Sequence, residues 1–342
     1  MATFFIGMYQ ELQRITALEL FYATIALFTS IILGLISAMV FIMLAKSKQA
    51  ARQKHLQSTF KQWLVSIILQ EPDEANTFFS MPEEISLALQ KRFARRALLE
   101  ELVRLKSNLS GRAGDNLQQL YNQLQLHKLS AHDMHSSKWY LKAKGIQELA
   151  TMDQKTYLPE IYTLTLHPNV QVRTEAQTAM VCLQGYEGLT FFKQLAYPLT
   201  EWHQVQLLQL LANQPISNTE MIRDWLQLPN PSIVQFALKL ISEQHASQFQ
   251  QDVITCLSHL EEIVRSQAIA CLGEIPSAPA AQALRSHYSS ESSKTLQLNI
   301  LAELMKTGTT SELPFLQQLR LTPDEGMRLA VEKTINHLQQ QV

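Results

Sequence analysis

The segment "HKLSAHDMH" is the best candidate for a metal site in this sequence, with His127, His132, Asp133 and His135. Histidine and carboxylate side chains three residues apart share one face of a helix, where they can bind one metal ion. However, Ser130 and Asp133 form a helix-capping pattern that already accounts for the aspartate. The chain also holds 10 histidines, so such a cluster arises easily by chance. We therefore predict no metal ion and no cofactor.

Other chemistry-bearing motifs are missing from the sequence. It contains no GxxxxGK[ST], GxGxxG, HExxH or GxSxG pattern, so nucleotide binding and the common hydrolase designs have no support. Trp139, Trp202 and Trp225 could stack on nucleic-acid bases. Two of them lie near expected helix starts and Trp225 lies in an apolar helix, so we interpret all three as packing between repeats.

Composition and charge favour an all-α protein that does not bind nucleic acid. Hydrophobic residues make up 46% and charged residues 17%, with only 10 Gly and 12 Pro. This composition favours helices over strands. Residues 46–137 carry a net charge of +4 and residues 138–342 a net charge of −4. The negative net charge of the C-terminal part therefore does not favour binding of a nucleic-acid phosphate backbone.

One segment is apolar enough to cross a membrane. The 26 residues from Leu20 to Ala45 contain no charge, and as a helix they extend about 39 Å, more than the roughly 30 Å hydrocarbon core. A buried core helix and a cleaved signal peptide are the alternatives. A core helix rarely needs so long an apolar run, and the 19 residues before it are unusual for a signal peptide. We predict a membrane anchor.

The residues beside this segment predict its orientation. Basic residues without an intervening acid follow it: Lys46, Lys48, Arg52, Lys54 and Lys61. The preceding side offers Arg14 together with Glu11 and Glu19. Because basic loops stay in the cytoplasm, we expect a single-pass protein of the inner membrane, with its N-terminus outside and its C-terminal part cytoplasmic. In that compartment Cys182, Cys256 and Cys271 are expected to be reduced and to serve as small apolar fillers.

Small residues recur every four positions within the apolar segment, at Ser30, Gly34 and Ala38. This spacing places them on one helix face, where two helices can approach closely in lipid. A weak parallel homodimer is one interpretation. The other is that these residues simply face lipid, because small residues are frequent in apolar spans.

The segment after the anchor is expected to contain amphipathic helices. Phe60, Trp63, Leu64, Ile67 and Ile68 form one helical stripe, which we expect to pack on following helices rather than lie on the membrane. A second stripe comprises Phe93, Leu98, Leu99, Leu102 and Leu105. Four cations begin that helix, namely Lys91, Arg92, Arg95 and Arg96, and they either touch anionic lipid or form a solvated face.

An internal repeat of about 31 residues dominates the rest of the chain. One position, called the anchor position here, recurs at Leu141, Val172, His203, Ile233, Val264, Leu296 and Met327. Four residues later come Gly145, Ala176, Leu207, Ala237, Ala268, Ile300 and Val331, and eight later come Leu149, Met180, Leu211, Ile241, Leu272, Leu304 and Ile335. Such spacing forms one stripe of a helix, and small residues in its middle allow close packing.

Each repeat is predicted to be a helical hairpin. Shorter apolar segments precede the anchor helices, and the pairs Pro168-Asn169 and Pro229-Asn230 end one helix and start the next. One hairpin is too small to bury its own apolar face, so the hairpins must stack. We therefore expect a short tail (1–19), a transmembrane helix (20–45), a basic helical segment (46–137) and an α-solenoid of about seven hairpins (138–342).

The repeats "NVQVRTEAQTAMVCL", "PSIVQFALKLI" and "EEIVRSQAIACL" resemble HEAT repeats, and more closely the short bacterial variety named after phycobilin lyases. Arg173 and Arg265 stand at the arginine position of that repeat class. His203-Gln204 and the repeat at Leu296 depart from the pattern. The resemblance covers residues 138–342 and implies an interaction scaffold. Some HEAT-like proteins are enzymes, including bilin lyases and DNA glycosylases, so an enzyme is the alternative.

The resemblance implies that a partner protein binds along the second helices of the repeats, on the concave side. The residues expected to contact it are Arg173, Glu175, Gln204, Gln206, Gln235, Lys239, Arg265 and Gln297. For Arg173 and Arg265 an equally good interpretation is structural, because each can bond to a helix end or an acid in an adjoining repeat. Because the chain is expected to reside in the membrane, the expected partner is an enzyme of envelope or polysaccharide synthesis in the same membrane.

The charge asymmetry around the apolar segment generates a topology prediction. A reporter fused after Val342 should be active in the cytoplasm, because the lysine and arginine excess follows the span. Moving that excess to the N-terminal side should weaken the preference. Activity of a periplasmic reporter at the same position would contradict the assigned orientation.

Overall fold

The chain folds into helices throughout the part that the structure describes. This computed structural model describes residues 2–70, 78–216, 218–321 and 324–340, and every regular element within them is an α-helix or a short 3-10 helix. The all-α prediction is confirmed. The chain divides into two compact units, Met1–Leu126 and His127–Val342. The second unit thus starts at His127, whereas the sequence pattern places the start of the array at residue 138.

The first unit contains one very long helix and three shorter ones. They are α1 (Ala2–Leu69), α2 (Glu83–Leu89), α3 (Arg92–Lys106) and α4 (Arg112–Gln123). Within α1, Thr24–Leu44 is long and apolar enough to cross a membrane, with a mean hydropathy of 2.6. The side chains of Lys46, Lys48, Arg52 and Lys54, on which the orientation depends, lie outside the described residues.

The end of α1 packs against α3 and α4, as predicted for its apolar stripe. Phe60, Leu64 and Ile67 are buried there, and Asn116 of α4 donates from Nδ2 to the Ile67 carbonyl oxygen at 3.0 Å. The prediction of packing rather than membrane contact is therefore confirmed for this stripe. The prediction of the apolar stripe of α3 is wrong at one position, because the side chain of Phe93 in the first turn is exposed.

The cations that start α3 are used in two ways. Arg95 donates from Nη2 to the Leu124 carbonyl oxygen at 3.2 Å, and so satisfies a carbonyl at the end of α4. Arg96 lies 3.5 Å from Glu100 of the same helix. Lys91 and Arg92 are exposed. Only the first two cations therefore present their charge fully to solvent.

The second unit is a stack of seven hairpins within the described residues. The hairpins are α5 (His127–Met134) with α6 (Trp139–Thr151), α7 (Leu158–Leu164) with α8 (Val170–Gln184), a 3-10 helix (Gly185–Gln194) with α9 (Glu201–Leu211), α10 (Thr219–Leu226) with α11 (Pro231–Glu243), α12 (Gln250–Cys256) with α13 (Glu262–Glu274), α14 (Ala278–Tyr288) with α15 (Lys294–Thr307), and α16 (Leu313–Leu319) with α17 (Glu325–Gln340). The predicted number of about seven is confirmed.

Side-chain caps decide where several second helices begin. Asn169 accepts a hydrogen bond from the Val172 amide at 3.2 Å, and Thr200 accepts one from the His203 amide at 3.3 Å. Asn230 caps α11 in the same way, and Pro231 follows it at the first helical position, where no donor is lost. The Pro-Asn pairs therefore start α8 and α11 as their sequence predicts.

The repeating stripe forms the core of the stack. Anchor residues such as Val172, Ile233 and Val264 are fully buried, and so is the alanine four residues after each of them. In α6 that position is Gly145, where a Cβ atom would lie 2.5 Å from the Ser130 carbonyl oxygen of α5. Small residues there let the backbones of neighbouring helices approach closely.

Two cysteines serve as apolar fillers, but the third does not. Cys256 and Cys271 are buried free thiols, and burial raises their pKa to about 11 and about 12 respectively. Both are therefore protonated at neutral pH. Cys182 is exposed on α8, contrary to the expectation for all three.

An aromatic cluster joins the third and fourth hairpins. Phe192 lies 5.1 Å from Trp225 and 5.3 Å from Phe236, measured between ring centroids, with edge-to-face geometry in both pairs. All three side chains are buried. Edge-to-face pairs stabilise beyond the area that they bury. Trp225 thus packs between repeats, as predicted.

The cluster generates a stability prediction. Phe236→Ala should lower the free energy of unfolding by about 3–5 kcal/mol, because it leaves a cavity beside Phe192 and Trp225. Urea unfolding of the detergent-solubilised chain, followed by tryptophan fluorescence, measures the change. Leu260→Ala is the matched control, since Leu260 is 95% exposed, and it should change stability by less than about 0.5 kcal/mol. Equal effects of the two substitutions would contradict the packing described.

Candidate partner-binding surface

Arg173 and Arg265, which follow the anchor residues Val172 and Val264, bind the turn inside their own hairpin. Arg173 donates from Nη1 to the carbonyl oxygens of His167 at 2.8 Å and Pro168 at 3.3 Å. Arg265 donates from Nη1 to the corresponding carbonyls of His259 and Leu260, both at 3.0 Å. These carbonyls follow the end of the first helix, beyond its helical hydrogen bonds. The same geometry in two hairpins indicates a structural role.

Glutamine replaces arginine in two of the departing repeats. Gln204 donates from Nε2 to the Leu199 carbonyl oxygen at 3.3 Å, and Gln297 donates to the Glu291 carbonyl oxygen at 2.9 Å. An amide group has the donors that this position requires, although it lacks the charge. The sequence departures at these repeats therefore preserve the hydrogen bond to the turn.

Arg265 also links two hairpins through a buried carboxylate. Its Nε and Nη2 atoms lie 2.8 Å and 3.2 Å from the two oxygens of Glu291, whose side chain is 1% exposed. The Ser293 amide donates to Glu291 at 2.9 Å, and His287 lies 3.2 Å away. The guanidinium and these further hydrogen bonds hold the pKa of the Glu291 carboxyl at about 2. The pair is therefore charged at neutral pH.

The other predicted contact residues are engaged or partly buried. Lys239 donates from Nζ to Gln204 at 3.0 Å, and Gln204 donates to the buried Gln235 at 3.2 Å. This chain of polar side chains connects α9 with α11. Glu175 and Gln206 are half-buried, and burial raises the pKa of the Glu175 carboxyl. Partner contact by this set stays a prediction.

Arg173 is additionally stacked on an exposed aromatic ring. Its guanidinium carbon lies 4.0 Å from the centroid of the Tyr197 ring, within the range of a cation–π interaction. Burial and the nearby Arg173 lower the pKa of His203, the anchor residue of the third hairpin, to about 4. His203 is therefore neutral at physiological pH and packs as an anchor residue.

Large apolar side chains are exposed at the beginnings of three second helices. We call this set the aromatic ridge, and it comprises Trp139, Tyr140, Val170, Trp202 and Val205. Trp202 is 78% exposed, Trp139 is 49% exposed, and the rings of Trp139 and Tyr140 meet edge to face at 5.9 Å. The expectation that Trp139 and Trp202 pack between repeats is wrong. Both lie just before the anchor position, on the side of the helix that faces away from the buried stripe.

The aromatic ridge is the surface feature that sequence reasoning missed. The signal was available, because Trp139 and Val170 lie two residues before their anchors, and Tyr140 and Trp202 lie one residue before. On a helix with 3.6 residues per turn these positions point away from the anchor stripe. Groups of exposed large apolar side chains are a feature of interaction sites.

His135, directly after α5, is bound to neighbouring groups in the array. His135 lies 2.9 Å from Glu160 through Nε2 and 2.6 Å from the Ala131 carbonyl oxygen through Nδ1. His132 is exposed. Among the residues whose placement is described, no group of three His, Cys, Asp or Glu side chains comes close enough to hold a metal ion.

The small residues of the apolar segment lie on an exposed helix. Ser30, Gly34 and Ala38 are all exposed, and a Cβ atom at Gly34 would meet nothing within 4 Å. The Ser30 hydroxyl donates to the Leu27 carbonyl oxygen of its own helix at 2.8 Å. Self-association through this face stays a prediction.

Comparison with known proteins identifies the repeat class in the last part of the chain. Residues 251–336 match the family model described as HEAT repeats. No curated protein matches the chain. The matched range covers α12 to α17, where the hairpins keep the anchor stripe and the turn-binding position described above.

Solved structures with low similarity include other helical proteins. The Escherichia coli protein YibA is 14% identical, with 77% of this chain and 99% of that chain covered and a TM-score of 0.42. An engineered protein is 13% identical, with coverages of 75% and 83% and a TM-score of 0.35. The complex of CpcE and CpcF of phycocyanin lyase from Nostoc sp. is 12% identical, with coverages of 79% and 99% and a TM-score of 0.25. Similarity at this level says nothing about activity.

The ion pair between Arg265 and Glu291 generates a pH-dependent prediction. Because the pKa of Glu291 is depressed in the folded chain from 4.5 to about 2, the pair stabilises the fold above about pH 4.5. This contribution is lost as the pH falls from 4.5 toward 2. Arg265→Met should lower the free energy of unfolding at pH 7 by about 3 kcal/mol, because it leaves a buried carboxylate unpaired. The deficit should shrink by pH 3, which urea unfolding at both pH values measures.

Arg223→Met is the control for this experiment. Arg223 pairs with Asp252 at 3.2 Å, but both side chains are substantially exposed. Solvent screens such a pair, so its loss should cost less than about 1 kcal/mol. A deficit for Arg265→Met that stays constant between pH 7 and pH 3 would refute the role of the carboxylate.

Proposed function

We propose that this chain is a membrane-anchored scaffold that binds a partner protein through its array of helical hairpins. One observation carries the proposal: the aromatic ridge exposes Trp139 and Tyr140 on the second helix of the first hairpin and Trp202 on that of the third hairpin. Tryptophan and tyrosine are the residues most enriched among those that dominate binding energy at interfaces. Leaving such side chains in water is unfavourable, so their exposure favours a surface that a partner covers.

The polar groups of the array support the same interpretation. The arginines and glutamines after the anchor residues are bound to turns, and Glu291 is bound to Arg265. These hydrogen bonds stabilise the stack, and the groups that make them are engaged there rather than in a reactive site. The enzyme alternative, of the lyase or DNA-glycosylase type, has no residue assigned to it. It predicts a tightly bound metal or a light-absorbing ligand on the purified full-length chain.

The membrane anchor in this proposal is Thr24–Leu44. Large apolar side chains such as Leu33 and Phe41 are more than half exposed, whereas a core helix would bury them. A cleaved signal peptide fits poorly, because α1 continues without a break to Leu69 and its final turns pack in the first unit. The basic residues after the span favour a cytoplasmic array and an inner-membrane location. A membrane-embedded enzyme of envelope or polysaccharide synthesis is the partner that this residence suggests.

Substitution of the aromatic ridge tests the scaffold function. The double variant Trp139→Ala, Trp202→Ala should lose its co-purifying partner when the intact chain is extracted from its own cell with mild detergent. The physical reason is the loss of apolar area from the centre of the contact. Quantitative mass spectrometry of the co-purifying proteins measures the effect, with at least a tenfold reduction expected for the partner.

The matched control is Leu260→Ala, Leu321→Ala, which removes two other apolar side chains that are 95% and 88% exposed. This variant should retain the partner. Circular dichroism of both variants checks that the helices are intact. Unchanged recovery with the ridge variant, or a bound metal or chromophore on the native chain, would count against the scaffold function.

A further inference from the structure

The aromatic ridge lies at one edge of three consecutive second helices. Trp139 and Tyr140 belong to the first turn of α6, Val170 to the first turn of α8, and Trp202 to the first turn of α9. Val205 follows Trp202 by one turn of α9. Because α6, α8 and α9 belong to successive hairpins of one stack, the ridge forms a row across them rather than isolated spots.

The charge beside the ridge is positive. The exposed and half-buried charged residues of α6 are lysines, including Lys138 just before the helix and Lys142 within it. The one acid of α6, Glu148, is buried and accepts a hydrogen bond from Ser130 at 2.9 Å. This local excess of positive charge contrasts with the net charge of −4 that residues 138–342 carry as a whole.

The helix ends add to this potential. α6 has no acidic residue in its first turn and no side-chain cap, so the partial positive charges of its first amide groups are not offset there. Glu201 is present in the first turn of α9, at the other end of the row. The α6 end of the ridge is therefore the end that favours carboxylates.

We propose that the ridge binds an acidic amphipathic helix of the partner protein. The apolar face of that helix covers Trp139, Tyr140 and Trp202, and its carboxylates lie beside Lys138 and Lys142. This inference rests on the scaffold function proposed above and names the chemistry of the partner segment. Burial of aromatic side chains supplies affinity, and the lysines set the direction in which the helix lies.

The spacing of the ridge favours a helix over a strand. Neighbouring packed helices are about 8–10 Å apart, so the row presents an apolar group at about that interval. An amphipathic helix repeats its apolar face every seven residues, or about 10.5 Å. In a β-strand, groups on one face recur at about 6.6 Å or 13 Å, which does not match. A polyproline helix repeats at about 9.3 Å, but a proline-rich segment supplies no carboxylates for Lys138 and Lys142.

A displayed library of random 18-residue peptides tests the proposal. The full-length chain is held in nanodiscs of zwitterionic lipid and used to select binders. The expected result is enrichment of sequences with apolar residues at i, i+3 or i+4 and i+7 and with several Asp or Glu. A synthetic peptide of the enriched sequence then gives dissociation constants by fluorescence anisotropy.

Two variants and their controls locate the binding. Trp202→Ala should weaken binding about 30-fold, and Lys138→Glu with Lys142→Glu should weaken it at least tenfold, less so at high salt. Leu260→Ala and Lys333→Glu alter comparably exposed residues elsewhere in the array and should leave the affinity unchanged. Binding that follows this pattern supports the proposal.

Other outcomes overturn it and separate it from the scaffold function. Enrichment of proline-rich or basic peptides would exclude an acidic helix. Binders that are insensitive to Trp202→Ala would place recognition elsewhere and leave the scaffold function intact. If no peptide is enriched and brominated anionic lipids in the nanodisc quench Trp139 and Trp202, a lipid surface covers the ridge. Failure of selection without such quenching, together with an unchanged pull-down by the ridge variant, would reject both proposals.

Discussion

The burial of one apolar stripe on each second helix is the constraint on which the second unit depends. A single hairpin of about 31 residues cannot bury this stripe within itself, so each hairpin needs its neighbours to cover the stripe. Val172, Ile233 and Val264 are fully buried, and the alanine four positions after each of them lets backbones approach. The length of the array, its register and its end-to-end continuity follow from this requirement.

The stripe also determines what the remaining positions can do. In four hairpins the residue after the anchor, Arg173, Gln204, Arg265 or Gln297, satisfies a carbonyl group at the turn. The positions before the anchor point away from the stack. In the first and third hairpins they hold Trp139, Tyr140 and Trp202, and these side chains are exposed. Buried positions and exposed apolar positions thus occur on the same helix.

In the first unit, one helix has two different environments along its length. Over Thr24–Leu44 α1 exposes apolar side chains, and from Phe60 onward it buries them against α3 and α4. Two environments along one continuous helix are expected when one part contacts lipid and the other contacts protein.

The sequence by itself determined the features that depend on local periodicity. Helical spacing, Pro-Asn pairs and capping residues predicted the hairpins, the anchor stripe and the burial of Phe60 and Leu64. These predictions succeeded because each depends on residues within a few turns of one another. The uncharged run likewise indicated a span from composition alone.

Tertiary structure decided which side chains are covered. Arg265 has a buried partner because Glu291 lies in the next hairpin, and Trp202 is exposed while Trp225 is buried, although both are tryptophans in helices of one hairpin stack. The start of the array at His127 depends on the packing of α5 against α6. The buried partner of Arg265 and the start of the array do not follow from local pattern, because both depend on the neighbours that stacking brings together.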